Sequence, residues 1–119
     1  IYANPDSSAL FSYIGYGSIC TATETIKGIN LLNTTKVTNM YKMFEATGYT
    51  SMTSLNLGSN FNTSIVTNMQ DMFLDLGSNN MRSFSLGSSF NTSNVTNMAG
   101  MFCRTGLQKL ESLSLERWK

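Results

Sequence analysis

The stretch NTTKVTNMYKMF at residues 33–44 returns as NTSIVTNMQDMF at residues 62–73 and as NTSNVTNMAGMF at residues 91–102. The copies begin at Asn33, Asn62 and Asn91, so both offsets are equal, and the second and third copies agree at nine of their twelve positions. Self-similarity at a fixed period of this length is typical of repeat architectures. The repeat is therefore the feature from which the fold is predicted.

The same register places bulky apolar residues at equivalent positions of every unit. Phe44, Phe73 and Phe102 are predicted to form one ladder through the interior, and Leu32, Phe61 and Phe90 a second. All eight methionines also occupy repeat positions: Met40, Met43, Met52, Met69, Met72, Met81, Met98 and Met101. Such confinement to apolar registers favours core packing over soft-metal binding for these side chains.

Within one unit the hydrophobic period changes. Val66, Met69, Phe73 and Leu76 are spaced by three, four and three residues, which predicts one face of a short helix. Residues 82–86 alternate polar and apolar side chains, which predicts a half-buried strand. Because one unit cannot cover its own apolar face, successive units are expected to pack on one another.

These patterns predict an α/β repeat solenoid of the leucine-rich kind. Short parallel strands would lie on one face and short helices on the other, with a period of about 29 residues. Residues 23–119 would form three to four rungs, and residues 1–22, which lack the motif, would form an N-terminal cap. The chain does not begin with Met and ends within a repeat, so we expect a segment of a larger exported protein with flanking domains.

Composition argues against several classes of function. The formal net charge is +1 and charged residues make up 13% of the chain, so neither nucleic acid nor an anionic membrane is an expected partner. There is no histidine, the usual general base and the commonest metal ligand. We expect no enzyme activity, cofactor or metal site, and no direct membrane insertion, since no apolar run approaches about 18 residues.

Three other patterns have plain structural interpretations. Cys20 and Cys103 lack metal-ligand spacing and would lie several rungs apart, so they are predicted to be two buried free thiols. Asp71 and Asp75 are interpreted as solvated carboxylates rather than a glycosidase pair. The Asn-Thr-Ser/Thr triplets match glycosylation sequons, but we expect their side chains to bond turn backbones and form ladders between units.

The motif Asn-Thr-Ser-x-Val-Thr-Asn-Met-x-x-Met-Phe closely resembles the repeats of about 26 residues in bacterial surface proteins, also called BspA-like leucine-rich repeats. Such repeats occur in surface lipoproteins and wall-anchored proteins. The chain departs from that family in its longer unit, in Asn instead of Asp at 33, 62 and 91, and in the place of Cys103. The resemblance implies exposure on a bacterial cell and adhesion, and it implies no catalytic residues.

The predicted function is a non-catalytic, surface-exposed module that recognises a protein or glycan on a host or environmental surface. The alternative is a passive spacer that presents other domains of a surface protein. Candidate ligand-facing residues lie on the polar side of the predicted strands or at helix positions that vary between units; they are Asn56, Ser83, Ser85, Tyr41, Lys42, Gln70 and Asp71.

Overall fold

Equivalent segments of successive repeats lie side by side. The computed structural model describes residues 1–17 and 25–115. Strands β1 (Ser54–Asn56), β2 (Ser83–Ser85) and β3 (Ser112–Ser114) form one parallel sheet in that order. Leu55 pairs with Phe84, and Phe84 pairs with Leu113, so the register of the sheet equals the spacing of the repeat. The predicted parallel strands are confirmed.

The predicted α/β repeat solenoid is wrong. In the described ranges the one helix is a 3₁₀ turn at Ile29–Leu31, and no layer of helices faces the sheet. The molecule measures 35 × 26 × 24 Å with a radius of gyration of 13.0 Å, close to the ~13 Å typical of a compact domain of about 100 residues. A compact domain with three short strands in one sheet replaces the leucine-rich architecture.

Consecutive turns take the place of the predicted helix at residues 66–76. The N–H groups of Met72 and Leu76 donate to carbonyls three residues back, at 3.2 and 3.1 Å. The N–H groups of Asp71 and Asp75 donate instead to the next repeat, both at 2.9 Å, and both residues have left-handed backbone, with φ of 54° and 58°. In an α-helix each N–H beyond the first four donates to the carbonyl four residues back within the segment. Donation across repeats by alternate residues excludes it.

This cross-repeat hydrogen bonding links every pair of neighbouring units. In residues 40–46 the N–H groups of alternate residues donate to residues 68–74, and in residues 69–75 they donate to residues 97–103. The N-terminal segment follows the same pattern although it lacks the motif. For example, Ala9 and Phe11 donate to the carbonyls of Tyr41 and Met43, both at 2.8 Å. Residues 1–14 therefore lie alongside residues 33–48.

Two aromatic ladders form the core, as the repeat predicts. The ring of Phe73 stacks between those of Phe44 and Phe102, with centroids 5.5 and 5.6 Å away. Phe11 extends this ladder, 5.2 Å from Phe44. In the second ladder the stacked rings of Phe61 and Phe90 are 6.5 Å apart, and Leu32 packs against the same core.

Seven of the eight methionines are buried in this core, which confirms their predicted place. The exception is Met98 in the last repeat, whose side chain is 43% exposed. Its equivalent one repeat earlier, Met69, is fully buried. Position within the repeat thus determines burial only where a neighbouring unit covers the residue.

The polar side chains of the motif hold the turns and the spaces between repeats. The side-chain oxygen of Asn62 accepts hydrogen bonds from the N–H and the hydroxyl of Ser64, at 2.9 and 2.7 Å. The buried Thr63 hydroxyl donates to the carbonyl of Asn91 at 2.7 Å and accepts from its N–H at 2.6 Å. These bonds confirm the structural interpretation of the Asn-Thr-Ser triplets.

The cysteine prediction is wrong at one position. Cys103 is a free thiol but is exposed rather than buried. It follows Phe102 in the last repeat, where no further unit covers it among the described residues. Cys20 lies outside the described residues.

Candidate functional site

The sheet face is the surface formed by the outward side chains of the three strands: Ser54, Asn56, Ser83, Ser85, Ser112 and Ser114. Since side chains alternate along a strand, these six residues point away from the core that holds Leu55 and Phe84. They line a shallow depression of about 290 Å³. Three candidate residues, Asn56, Ser83 and Ser85, are thus brought together on one surface.

Some polar atoms of the sheet face already have partners within the protein. The Asn56 side-chain oxygen accepts from the N–H of Gly58 at 2.9 Å, and the Ser85 hydroxyl accepts from the N–H of Gly87 at 3.3 Å. Both bonds hold the turn that follows each strand. The polar groups at these positions are therefore partly structural, and the surface offers a ligand mainly small hydrogen-bonding groups.

The other four candidates lie at two neighbouring repeat positions within the consecutive turns that replace the predicted helix. We call the surface that they form the turn face. Tyr41 and Gln70 occupy one repeat position, and Lys42 and Asp71 the next; all four side chains are partly exposed. Lys42 lies 3.6 Å from the Glu45 carboxylate. The Tyr41 side chain and the negative charge of Glu45 raise the pKa of Lys42. The structure thus brings the seven candidates together as two surfaces, not one.

Ion pairs between repeats are a feature that the sequence interpretation missed. Arg104 donates to both carboxylate oxygens of Asp75, at 2.7 and 3.1 Å, and Arg82 donates to Glu111 at 2.7 Å. The neighbouring carboxylate raises the pKa of Arg104 above its ordinary value. In each pair the two residues occupy the same repeat position in consecutive units. The sequence signal for such an ion pair is therefore two opposite charges separated by one repeat.

An exposed aromatic cluster was also missed. The ring of Tyr16 lies 5.2 Å from that of Tyr13 and 5.0 Å from that of Tyr49. Tyr13 and Tyr16 are 54% and 49% exposed, and the neighbouring Ile14 is 46% exposed. We call these four residues the tyrosine patch. The patch joins Tyr13 and Tyr16 of the N-terminal segment to Tyr49, which follows the first copy of the motif. A search by repeat register does not bring these residues together.

The acidic side chains of these surfaces are either paired or isolated among the described residues. Asp75 is engaged by Arg104, so Asp71 and Asp75 do not form a free pair of carboxylates. Within residues 1–17 and 25–115 no group of three or more acidic or cysteine side chains is placed to hold a metal ion. What the two faces and the patch offer a ligand is hydroxyl and amide groups, isolated charges and tyrosine rings.

A family model described as a Mycoplasma protein of unknown function, DUF285, matches residues 17–119. The chain belongs to this family. No curated protein and no solved structure matches the chain. DUF285 membership covers all three copies of the motif, and it includes Tyr49 of the tyrosine patch but neither Tyr13 nor Tyr16.

Helices that could cross a membrane were also sought. In the part of the chain that the structure describes, none has the length and apolar character that a span requires.

Proposed function

We propose that this DUF285 chain is a non-catalytic binding module, exposed on a bacterial cell, that recognises a protein or glycan on a host or environmental surface. The resemblance of its motif to the repeats of bacterial surface proteins, the BspA-like repeats among them, supports the location. Membership of a Mycoplasma family is compatible with it. The tyrosine patch is the single observation that carries the binding proposal.

Tyrosine rings suit recognition for a physical reason. They present a large apolar area with little loss of side-chain freedom, and binding hot spots are enriched in them. Tyr13 and Tyr16 expose about half of their surface although they sit beside a well-formed core. A ligand that covered these rings would remove that apolar surface from water, a favourable contribution of about 25 cal/mol per Å².

The candidate residues outside the patch would supply further polar contacts from the turn face or the sheet face. Tyr41 and Lys42 on the turn face lie close in sequence to Tyr49, and the sheet face offers Ser83, Ser85 and Asn56. Charge substitutions test which face takes part in binding. Lys42→Glu would weaken binding through the turn face, and Ser83→Glu would weaken binding through the sheet face. Ser83 is exposed, so Ser83→Glu should leave the fold intact, whereas Lys42→Glu replaces the ion pair with Glu45 by a contact between two carboxylates, so thermal melting of that variant has to accompany the binding measurement.

The test is binding of the purified chain to immobilised matrix proteins and to a glycan array. The double variant Tyr13→Ser/Tyr16→Ser should weaken binding by about tenfold or more, as loss of a hot spot does. Tyr2→Ser is the matched control, because Tyr2 is 62% exposed and lies outside the patch. Equal binding by the double variant and the wild type would refute recognition through the patch.

A passive spacer is the second candidate function. It is favoured by the sheet face, whose hydroxyl and amide groups are small and carry no aromatic anchor, and by the number of polar groups that bond within the protein. Replacing this segment of the parent protein with unrelated repeats of equal length separates the two functions. Unchanged binding by the parent would support the spacer and exclude recognition by this segment.

A further inference from the structure

The side-chain amides of Asn33, Asn62 and Asn91 occupy one position in the three copies of the motif. Each side-chain oxygen accepts a hydrogen bond from the N–H two residues later, at 3.0, 2.9 and 2.8 Å respectively. An aspartate carboxylate would accept the same bond, and a charged acceptor would make it stronger. The turn therefore accounts for the oxygen of each amide but not for its nitrogen.

The amide nitrogens of these three residues are open to a ligand. None of them donates to a partner among residues 1–17 and 25–115. In the same ranges no buried side-chain nitrogen or oxygen lacks a hydrogen-bond partner, so these nitrogens reach solvent. The nearby Asn94 differs, because its amide nitrogen donates to the carbonyl of Ser64 at 2.6 Å. We call the three open NH₂ groups, of Asn33, Asn62 and Asn91, the amide row.

The amide row runs along shallow polar depressions on the surface. One depression, of about 140 Å³, lies between the second and third copies of the motif. Its polar lining residues are Asn62, Ser64, Ser88, Ser89 and Asn91. One repeat earlier Asn33, Thr35 and Asn60 line a second depression from equivalent positions. No charged side chain is among the described residues that line either depression.

We propose that the amide row binds a neutral linear glycan, with one sugar unit opposite each repeat. Sugar hydroxyl and ring oxygens are acceptors for amide N–H donors, and a lining without charge suits a neutral ligand. Neighbouring units lie roughly 5 Å apart, since the ladder rings are spaced by 5.5 and 5.6 Å and parallel strands by about 4.8 Å. This spacing is close to the length of one pyranose unit in an extended chain.

An extended peptide matches the amide row less well. Carbonyls on one edge of an extended chain are two residues apart, which is about 6.6–6.8 Å, so they fall out of register with donors spaced at roughly 5 Å. Preference for a peptide over a glycan is therefore an outcome that contradicts the inference. The amide row contains none of the residues of the tyrosine patch, so the two surfaces can be tested separately.

The test is binding of the purified chain to an array of linear pyranose oligosaccharides, from monosaccharides to hexasaccharides, followed by isothermal titration calorimetry. Affinity should rise by about two- to tenfold for each sugar added up to the trisaccharide, the range that one net hydrogen bond contributes. Longer chains should gain little more, because the motif occurs in three copies.

Asn62→Asp is the decisive variant. It keeps an acceptor for the N–H and hydroxyl of Ser64 but removes the amide nitrogen, so it should fold normally and bind the trisaccharide about tenfold more weakly. Asn68→Asp is the matched control. The Asn68 side-chain oxygen also accepts from the N–H two residues later, at 3.0 Å, but Asn68 lines neither depression. This control adds the same charge to the same repeat and should leave the affinity within about twofold. Thermal melting verifies that both variants fold.

The results separate the amide row from the tyrosine patch. Glycan binding that depends on Tyr13 and Tyr16 but not on Asn62 would overturn the amide row and leave the proposed function standing. Glycan binding that depends on Asn62 but not on the tyrosines would support the amide row and refute recognition through the patch. Binding to matrix proteins but to no linear glycan, an affinity independent of chain length, or equal losses for Asn62→Asp and Asn68→Asp would each overturn the inference.

Discussion

The aromatic ladder permits a comparison of the stability that two equivalent side chains contribute. Phe73 has ladder neighbours on both sides, and Phe102 is its equivalent in the last repeat. Phe73 is fully buried, with ring contacts to Phe44 at 5.5 Å, Phe84 at 4.9 Å and Phe102 at 5.6 Å. Truncation of a buried Phe to Ala costs about 3–5 kcal/mol, and the cost expected for Phe73 is about 4 kcal/mol, in the middle of that range. Phe102 is partly exposed, so Phe102→Ala should cost about 1–2 kcal/mol.

Urea unfolding followed by circular dichroism measures the difference. With a slope of about 2 kcal/mol per M, the midpoint should fall by about 2 M for Phe73→Ala and by less than about 1 M for Phe102→Ala. A domain of this size has a total stability of roughly 6–18 kcal/mol, so Phe73→Ala leaves about 2 kcal/mol and a midpoint of about 1 M at the lower end, and a well-separated transition at the upper end. Phe73→Leu, with an expected cost of about 1.5 kcal/mol, remains measurable in either case. Equal midpoints for Phe73→Ala and Phe102→Ala would refute the argument that burial depends on a covering repeat.

Three further predictions concern the polar groups and turns. Thr63→Val should destabilise the protein by about 2 kcal/mol, because it leaves the partly buried N–H and carbonyl of Asn91 without the Thr63 hydroxyl as their partner. Thr67→Val, at an exposed position, should cost less than about 0.5 kcal/mol, and similar urea midpoints for the two variants would contradict the role of Thr63. Gly77→Ala should lower the melting temperature more than Gly28→Ala, because both glycines have positive φ but an added Cβ at Gly77 would lie 2.5 Å from the Met81 Cβ, against 3.8 Å to Leu31 at Gly28. Hydrogen bonds from the Ser8 hydroxyl and N–H lower the pKa of Asp6 from its ordinary value in the folded state. The resulting stabilisation is present above the unfolded pKa and is lost as the pH falls through the folded pKa, so Asp6→Asn should remove part of the acid dependence of unfolding. An NMR titration that places the pKa of Asp6 in the folded protein above its ordinary value would disprove this.

The strands and the inward columns were predictable because both follow from the repeat register. The constant spacing of the motif aligned Leu55 with Phe84 and Phe44 with Phe73 before any coordinates were considered. Side chains of one kind at one register must share an environment when units lie side by side. The ladders follow from that argument whatever the backbone does between them.

The helices were not predictable by the same reasoning, because the periodicity of apolar residues reports which side chains face inward and not the path of the backbone. Val66, Met69, Phe73 and Leu76 are all fully buried, as the helical interpretation requires. The backbone reaches that arrangement through turns with left-handed residues at positions 71 and 75. Asp tolerates this conformation better than most residues, so Asp at both positions was a weak local sign of turns.

The tyrosine patch escaped prediction for a different reason. Tyr13 and Tyr16 lie in the N-terminal segment, which lacks the motif. In its turn region this segment is separated from the next unit by more residues than one motif spacing, as the bridge between Asp6 and Asn39 shows. Register arguments based on the motif therefore could not bring Tyr16 next to Tyr49. The two candidate faces were accessible to sequence reasoning because they belong to the regular units.

The distribution of variation within the motif indicates where recognition could change without loss of the fold. Asn62 and Thr63 are engaged by turn and inter-repeat hydrogen bonds, and Met69 and Phe73 are engaged by the core, so changes at these positions would act on stability first. The position of Lys42 and Asp71 varies in sequence but is constrained to left-handed backbone. The position of Tyr41, Gln70 and Ala99 is partly or fully exposed in all three units and has ordinary backbone. Ligand contacts on the turn face should therefore be altered most freely at this position, and a library confined to it should change binding while leaving the urea midpoint within about 0.5 M of the wild type.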